Sequence, residues 1–365
     1  MATEAETAAM RRAIDLAEAA RGIPNPNPAV GAVVLDPAGQ VVGEGATAPI
    51  GGPHAEVVAL EAAADRARGG TIVVSLEPCS HEGRTGACTA AITAAGIARV
   101  IFAIEDPHGA AAGGAERLRE AGVDVEAGLL ADEALVELEP WLVAAAERRP
   151  YVTWKYAATL DGRIAAADGT SQWITGEGAR NDVQLLRGGS DAVIVGIGTV
   201  LADDPALTVR LVDLPRHPLR VVVDSDARTP VGAKVVDGSA PTLIAVAADA
   251  DPGRVAALRS TEAAVVELPR TGQGVDLAAL LATLYERECY QLLVEGGARL
   301  ATSFLAGGLV DRVVAYLAPA LLGAGPSVVG DFGVATIAEA WRLSPKGLTY
   351  LQPDVRIIAT VERTS

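Results

Sequence analysis

Pro53-His54-Ala55-Glu56 opens the stretch that decides the fold, followed by a helix-like run to about Arg68 and then Thr71-Ile72-Val73-Val74-Ser75-Leu76-Glu77-Pro78-Cys79, with Cys88 beyond a glycine-bearing loop. Pro53 suits the first turn of a helix, where its missing N–H is no loss. The run 71–76 is rich in β-branched residues and reads as a buried strand. Cys88 opens a second helix, which Gly96 closes. Val100 to Ile104 is another strand, 113–121 another helix and Val123-Asp124-Val125 a short strand. Strands alternating with helices predict β-α-β units and a largely parallel sheet.

Upstream, residues 9–21 show helical spacing through Ile14, Leu16 and Ala17, ending at Gly22. Ile23-Pro24-Asn25-Pro26-Asn27-Pro28 cannot be regular structure, because proline removes donors and restricts its predecessor. Val30 to Leu35 reads as a strand, Asp36-Pro37-Ala38-Gly39 as a turn and Val41-Val42 as the returning strand. A helical stretch from about Asp132 ends at Arg148-Arg149-Pro150, the best boundary in the chain. Two α/β domains are expected, 1–147 and 151–365. The second has strands at 151–156, 191–197, 219–224, 242–247, 263–268, 291–295 and 312–317. A hairpin around Gln352-Pro353-Asp354 adds antiparallel strands to that sheet.

The chain has 365 residues, half of them hydrophobic, with a mean hydropathy of +0.29, which argues against disorder. No apolar run approaches the ~18 residues of a membrane span. The first residues lack an apolar signal core, and Glu4, Glu6, Asp15 and Glu18 argue against a transit peptide, so an intracellular, cytoplasmic protein is expected. The net charge of −16 and the lack of a Lys/Arg run longer than two favour a small substrate over nucleic acid. Three cysteines make a poor disulfide framework. Cys289, flanked by apolar residues, reads as an inert core thiol.

His54, Cys79 and Cys88 offer one imidazole and two thiols, three ligands for a tetrahedral zinc whose open fourth corner marks a catalytic site. His54 and Glu56 are two residues apart, about 200° around a helix, so they share no flank. The metal must sit off the helix end, and the same holds at Cys88. Unpaired N–H groups there lower thiol pKa values and favour thiolates. Each of these residues alone reads better as structural, since His and Cys so often are; their conjunction carries the assignment. H-x-E followed by P-C-x(n)-C is the pattern of zinc deaminases acting on nucleobase-type rings, with the glutamate, here Glu56, as proton shuttle.

Longer motifs make the resemblance specific. Pro26-Asn27-Pro28-Ala29-Val30-Gly31, His54-Ala55-Glu56 and Glu77 through Cys88 with Ser80-His81-Glu82-Gly83-Arg84-Thr85 inside it resemble the bifunctional riboflavin-biosynthesis deaminase/reductase family. Downstream, Leu160-Asp161-Gly162-Arg163, Ser171-Gln172-Trp173-Ile174, Gly198-Thr199, Asp203 through Arg210, Asp224-Ser225 and Val294-Glu295-Gly296-Gly297 resemble its reductase half. The resemblance covers about residues 9–361. It implies a cytidine-deaminase-like three-layer domain followed by a dihydrofolate-reductase-like α/β domain. It also implies two consecutive reactions on a pyrimidine ribotide: loss of the 2-amino group of a diamino-hydroxy-phosphoribosylamino-pyrimidine, then NADPH reduction of the ribosyl group to a ribityl chain.

Residue by residue, the resemblance makes Asn27, His81 and Arg84 substrate contacts of the deaminase. In the reductase it puts Ser171, Arg187, Leu207, Arg210 and Glu295 on the substrate side, with Lys155 a further candidate. Ala157, Trp173, Thr199, Asp203, Ser225 and the run Gly297, Ala298, Arg299, Leu300, Ala301, Thr302 and Ser303 fall on the NADPH side. Gly196-x-Gly198 is only a fragment of G-x-G-x-x-G, so a Rossmann reading is poorly supported. The stronger signal is strand 291–295 running through Gly296-Gly297 into a helix, where backbone N–H groups reach a phosphate. Thr47, Gly86-Ala87 and His108-Gly109 depart from the family's usual residues and are read as altered substrate contacts. A homo-oligomer, dimer or tetramer, is the expected assembly, with no nucleic acid and no membrane partner.

Overall fold

Thr3 starts the first helix: its hydroxyl accepts from Glu6 N while the Glu6 carboxylate accepts from Thr3 N, a reciprocal cap that satisfies two orphan donors. The computed structural model describes residues 1–80, 86–107, 113–211, 217–272 and 274–362. These form two compact units, Met1–Arg149 and Pro150–Ser365. The expected positions His81, Arg84, His108 and Gly109 lie outside the described residues.

The first unit runs α1 (Glu4–Ala19), β1 (Gly31–Leu35), β2 (Val41–Ala46), α2 (Ala55–Ala63), β3 (Thr71–Leu76), α3 (Cys88–Ala94), β4 (Arg99–Ile104), α4 (Gly114–Glu120), β5 (Asp124–Ala127) and α5 (Ala131–Glu147). Its sheet order is β2-β1-β3-β4-β5. Alternation along the strands makes three layers. Ala32, Val34, Ile72, Val74, Val100 and Phe102 face the α2, α3 and α4 side. Val33, Leu35, Val73 and Ile101 pack on α1.

This sheet corrects the expectation of a largely parallel one. β1 is antiparallel to both of its neighbours, β2 and β3, and only the β3–β4 and β4–β5 pairs are parallel. The β1–β2 turn makes a hairpin, and α2 then carries the chain back over β1, so β3 runs with β2 on β1's far side. Helix α2 is also shorter than expected: it begins after His54, its N-cap, and gives way at Ala64 to a 3₁₀ turn ending at Ala67. Helix α1 starts earlier and stops at Ala19, short of Gly22.

The second unit runs β6 (Tyr151–Thr159), α6 (Glu177–Gly188), β7 (Ala192–Gly196), α7 (Ile197–Asp203), β8 (Leu219–Val223), β9 (Thr242–Ala247), α8 (Pro252–Arg259), β10 (Ala264–Leu268), β11 (Arg270–Thr271), β12 (Gly274–Val275), α9 (Leu277–Glu286), β13 (Gln291–Val294), α10 (Ala298–Ala306), β14 (Arg312–Ala318), β15 (Leu343–Leu351) and β16 (Asp354–Val361). The main sheet is ordered β10-β9-β8-β7-β13-β6-β14-β16-β15. It is parallel from β10 to β14, and the closing hairpin is antiparallel as expected. One face packs on α9 and α10, the other on α7 and α8, with α6 against β14. Cys289 is buried in the first of these clusters. No helix among the described residues is long and apolar enough to cross a membrane.

Candidate active sites

Three chain ends meet in the first unit. His54 caps α2, Cys88 is the first residue of α3, and Cys79 follows the end of β3. His54 Nδ1 lies 3.6 Å from Cys79 Sγ and 3.3 Å from Cys88 Sγ, and all three ligand atoms fall within 4.8 Å of one another. A tetrahedral zinc with bonds of ~2.3 Å to sulfur and ~2.05 Å to nitrogen holds N and S about 3.5 Å apart. The donor set therefore fits zinc in both chemistry and spacing.

Electrostatics agree. Hydrogen bonding from Cys88, opposed by burial and helped by His54, pulls the Cys79 thiol down to about 4. Cys88 N also donates to Cys79 Sγ, at 3.5 Å. The Cys88 thiol is pushed up by its hydrogen bond to Cys79, by burial and by Glu56. The Cys79 hydrogen bond raises His54 against desolvation. Glu56, 4% exposed, is raised chiefly by burial. So many anionic groups in one buried place repel each other, and a divalent cation relieves that repulsion. Cys88→Ser is expected to cost more zinc affinity than the ~10–100-fold typical of groups outside the ligand shell. Metal content of the purified variant, well below one zinc per chain, checks this.

Supports of this site were missed in the sequence. Glu77 accepts from Asp106 N at 3.1 Å and Ala115 N at 2.8 Å, so the residue two before Cys79 ties the ends of β3 and β4 to the start of α4. A Cβ on Gly114 would stand 1.8 Å from the Pro78 carbonyl oxygen, so only glycine lets α4 approach the metal-bearing turn. Glu77 stood inside a quoted motif, but its backbone partners are distant in sequence. Thr47 is buried and its hydroxyl accepts from Val30 N at 3.1 Å. It thus braces the loop that carries Asn27. Asn27 itself is partly buried just before β1. Ala87 is the N-cap of α3, and Gly86 is exposed.

In the second unit, four of the predicted positions share one edge of the sheet. Ala157 near the end of β6, Glu295 after β13, Thr199 after β7 and Ser225 after β8 sit at or beyond the carboxyl ends of four adjacent parallel strands. Ligands of open α/β sheets bind at that edge. β7 and β13, neighbours in the sheet, run directly into helices through the N-caps Gly196 and Gly297. Gly297 is exposed with open space where a Cβ would be. Helix α10 has no acidic residue in its first turn, so its N-terminus suits an anionic phosphate. A dinucleotide phosphate fits there. Arg299 and Ser303 are exposed, Ala298 and Thr302 partly so, while Leu300 and Ala301 are buried in the core. Thr199 and Asp203 are one turn apart on α7 and share a face.

Trp173 is 70% exposed, with the Arg180 guanidinium 4.7 Å from its ring centroid; Ser171 is partly buried just before it. Leu207 is buried, and Arg210 is exposed with its N–H held by Gln184 Oε1 at 3.1 Å. Their loop is anchored by Arg220, a fully buried arginine that donates to Ala206 O, Lys234 O, Ala240 O and Thr242 Oγ1. Nothing in the sequence singled it out, because its partners, which also include the Asp237 carboxylate and the Ser239 hydroxyl, come from separate loops.

Glu295 and Arg187 form a two-pronged pair, Arg187 Nε to Oε1 at 2.5 Å and Nη2 to Oε2 at 3.0 Å. Lys155 Nζ lies 3.8 Å from Oε2. Burial would raise the Glu295 carboxyl, but Arg187 and Lys155 hold it below its ordinary value. Burial lowers Lys155, and Glu295 only partly offsets this. Two cations and one carboxylate leave one buried positive charge.

A buried acid beside a His-Cys-Cys cluster at helix ends defines a zinc-dependent deaminase fold. It is joined here to an α/β unit in which a strand runs through Gly296-Gly297 into a helix whose N-terminus is open. Residues 3–104 match the cytidine and deoxycytidylate deaminase zinc-binding region, and residues 150–357 match the RibD C-terminal domain. Riboflavin biosynthesis protein RibD of Mycobacterium tuberculosis is 42% identical over 351 residues, 95% of each chain. The RibD of Escherichia coli is 39% identical, covering 95% of this chain and 96% of its own. Among solved structures, Acinetobacter baumannii RibD superposes with a TM-score of 0.86 at 35% identity, over 99% of each chain. A diaminohydroxyphosphoribosylaminopyrimidine deaminase/5-amino-6-(5-phosphoribosylamino)uracil reductase from Thermotoga maritima gives 0.85 at 33%, over 98% and 99%.

The chain belongs to the RibD family. It is a bifunctional deaminase/reductase of riboflavin biosynthesis, with a cytidine-deaminase-like zinc-binding domain and an α/β reductase domain, as the resemblance implied.

Proposed function

We propose that the first unit hydrolyses the 2-amino group of 2,5-diamino-6-ribosylamino-4(3H)-pyrimidinone 5′-phosphate. The second unit then reduces the ribosyl side chain of the resulting 5-amino-6-(5-phosphoribosylamino)uracil with NADPH. The observation that carries the reading is the convergence of His54, Cys79 and Cys88 beside buried Glu56, on a chain whose other half is a RibD reductase domain.

His54, Cys79 and Cys88 would hold a zinc ion, which when bound would make a water acidic enough to attack near neutral pH. Glu56 takes a proton from the attacking water and delivers it to the departing amino nitrogen, so water replaces the amine and ammonia leaves. Its burial favours the protonated carboxyl, which makes it able to hold that proton between the two steps. Asn27 offers donor and acceptor to the pyrimidine edge, and Arg84 and His81 contact the ribotide.

Gly297 through Ser303 would hold the phosphates of NADPH, and Ala157, Trp173, Thr199, Asp203 and Ser225 would line its site; when bound it would supply the hydride. Ser171, Leu207 and Arg210 take the substrate, Arg210 meeting the phosphate. Arg187 orients Glu295, and the net positive charge of that cluster with Lys155 suits an anionic ribotide. Hydride transfer then needs orientation more than a nucleophile. A homo-oligomer in the cytoplasm, where Cys79 and Cys88 stay reduced, completes the reading.

A two-stage assay tests it. Without NADPH, the diamino-pyrimidine ribotide should release one ammonia per molecule; on adding NADPH, oxidation should follow in proportion to the deaminated product. Ammonia release without any NADPH oxidation would leave a deaminase alone.

A further inference from the structure

Behind Lys155 and Glu295 stands a second tier of polar groups, buried at Tyr316 and partly buried at Asp182 and Arg356, to which no role has yet been given. Tyr316 on β14 is fully buried, and its hydroxyl donates to Asp182 Oδ2 at 2.5 Å. Arg356 Nη1 donates to both Asp182 oxygens at 2.8 Å, and its Nη2 donates to Thr349 Oγ1 at 3.1 Å. The ring of Tyr316 lies 5.8 Å from Lys155 Nζ, within reach of an ammonium–ring attraction. Asp182 sits on α6, the helix that also carries Arg187. The same strand that supplies Arg356 grips the start of this helix: Asp354, at the head of β16, accepts from Gly176 N at 2.7 Å.

Asp182 and Arg356 neutralise each other, so this tier has no net charge with which to hold an anionic substrate. Its consequence is positional. The nearest carboxylate oxygen is 3.8 Å from Lys155 Nζ, too far for a good hydrogen bond. The ammonium is therefore located by Glu295 on one side and by the Tyr316 face on the other. The ring in turn is located by its hydroxyl, and the hydroxyl by a carboxylate that two arginine contacts hold still.

We propose that Tyr316 and Asp182, locked by Arg356, are positioning residues of the reductase, fixing Lys155 against the bound ribotide. This rests on the reduction proposed above. The test uses the full-length, zinc-loaded chain with deaminated ribotide and NADPH. Denaturant unfolding of the second unit reports that each variant is folded, and ammonia release from the same preparations normalises for the amount of intact chain.

Tyr316→Phe keeps the ring and frees it. Its reduction kcat is expected to fall about ten- to a hundred-fold, the order that a displaced group costs, with KM for both substrates within about two-fold. Asp182→Asn should do the same. In a Lys155→Met background Tyr316→Phe should cost nothing further, because its effect passes through Lys155. An unchanged kcat in Tyr316→Phe, or losses that multiply in the double variant, would overturn the proposal. Should Tyr316→Phe fail to fold, Arg356→Lys loosens the same carboxylate and is judged by the same criteria. Wild-type protein that does not oxidise NADPH on this substrate would instead refute the reduction itself.

Discussion

Glu56→Gln is expected to lower ammonia release by about a thousand-fold, in the middle of the 10²–10⁴ range for a lost proton shuttle. Glutamine has nearly the same shape and still accepts hydrogen bonds, but it cannot take a proton from water or return one to nitrogen. Glu56 is 4% exposed, so bulk water has little access with which to replace it. The three ligand residues are untouched, and metal analysis should still find one zinc per chain. NADPH oxidation on ribotide already deaminated should persist, since Lys155, Arg187 and Glu295 belong to the other unit. A Glu56→Gln protein that deaminates at the normal rate would sink the mechanism.

Glu295→Ala is expected to abolish the reduction and to destabilise the second unit by about 3–5 kcal/mol, the cost of leaving buried charges without their partner. Arg187 and Lys155 are respectively 14% and 17% exposed in their side chains, and Glu295 7%. Neither cation can turn to water without breaking the packing of α6 or β6. Glu295→Gln keeps an acceptor and should cost less. The measurement is denaturant unfolding followed by a spectroscopic probe, with the second unit's transition moved to lower denaturant while ammonia release is lost at the wild-type concentration.

The same pair has a pH signature. The folded Glu295 carboxyl lies below its ordinary value of 4.5, so its contribution is present above that value and is lost as pH falls through the folded pKa. Replacement by Gln should therefore flatten the acid limb of the second unit's stability and leave its behaviour at neutral pH parallel to wild type.

The zinc site was legible because its chemistry is local. His54 stands against its helix start, Cys79 closes a strand and Cys88 opens the next helix. Spacing along the chain already dictates that these three point off element ends, and helix ends favour thiolates whatever the rest of the fold does. Glycines carried the second signal: Gly296-Gly297 after an apolar run marks a strand entering a helix. The parallel sheet of the second unit followed from alternation of strands and helices in the same way.

Strand order was not local, and the first sheet shows the consequence. A hairpin and a crossover helix have the same sequence appearance whether β3 lands beside β2 or beyond β1. Packing of α2 against β1 and β2 decides it, and that depends on contacts formed after chain reversal. The reductase charges tell the same story. Arg187 is expected on the substrate side, but its partner Glu295 stands 108 positions away, and Tyr316 meets Asp182 at a separation of 134.

The sequence by itself determined the two α/β domains, the His-Cys-Cys cluster proposed to hold the metal with its neighbouring glutamate, and the strand-to-helix turn suited to a phosphate. Each is a property of residues within a few turns of one another. Only the tertiary structure decided which charges are neutralised, why Glu77 and Gly114 must stand where they do, and how Lys155 is held. A buried charge is costly until its partner is found, and that partner is set by which strands become neighbours in the sheet, not by order along the chain.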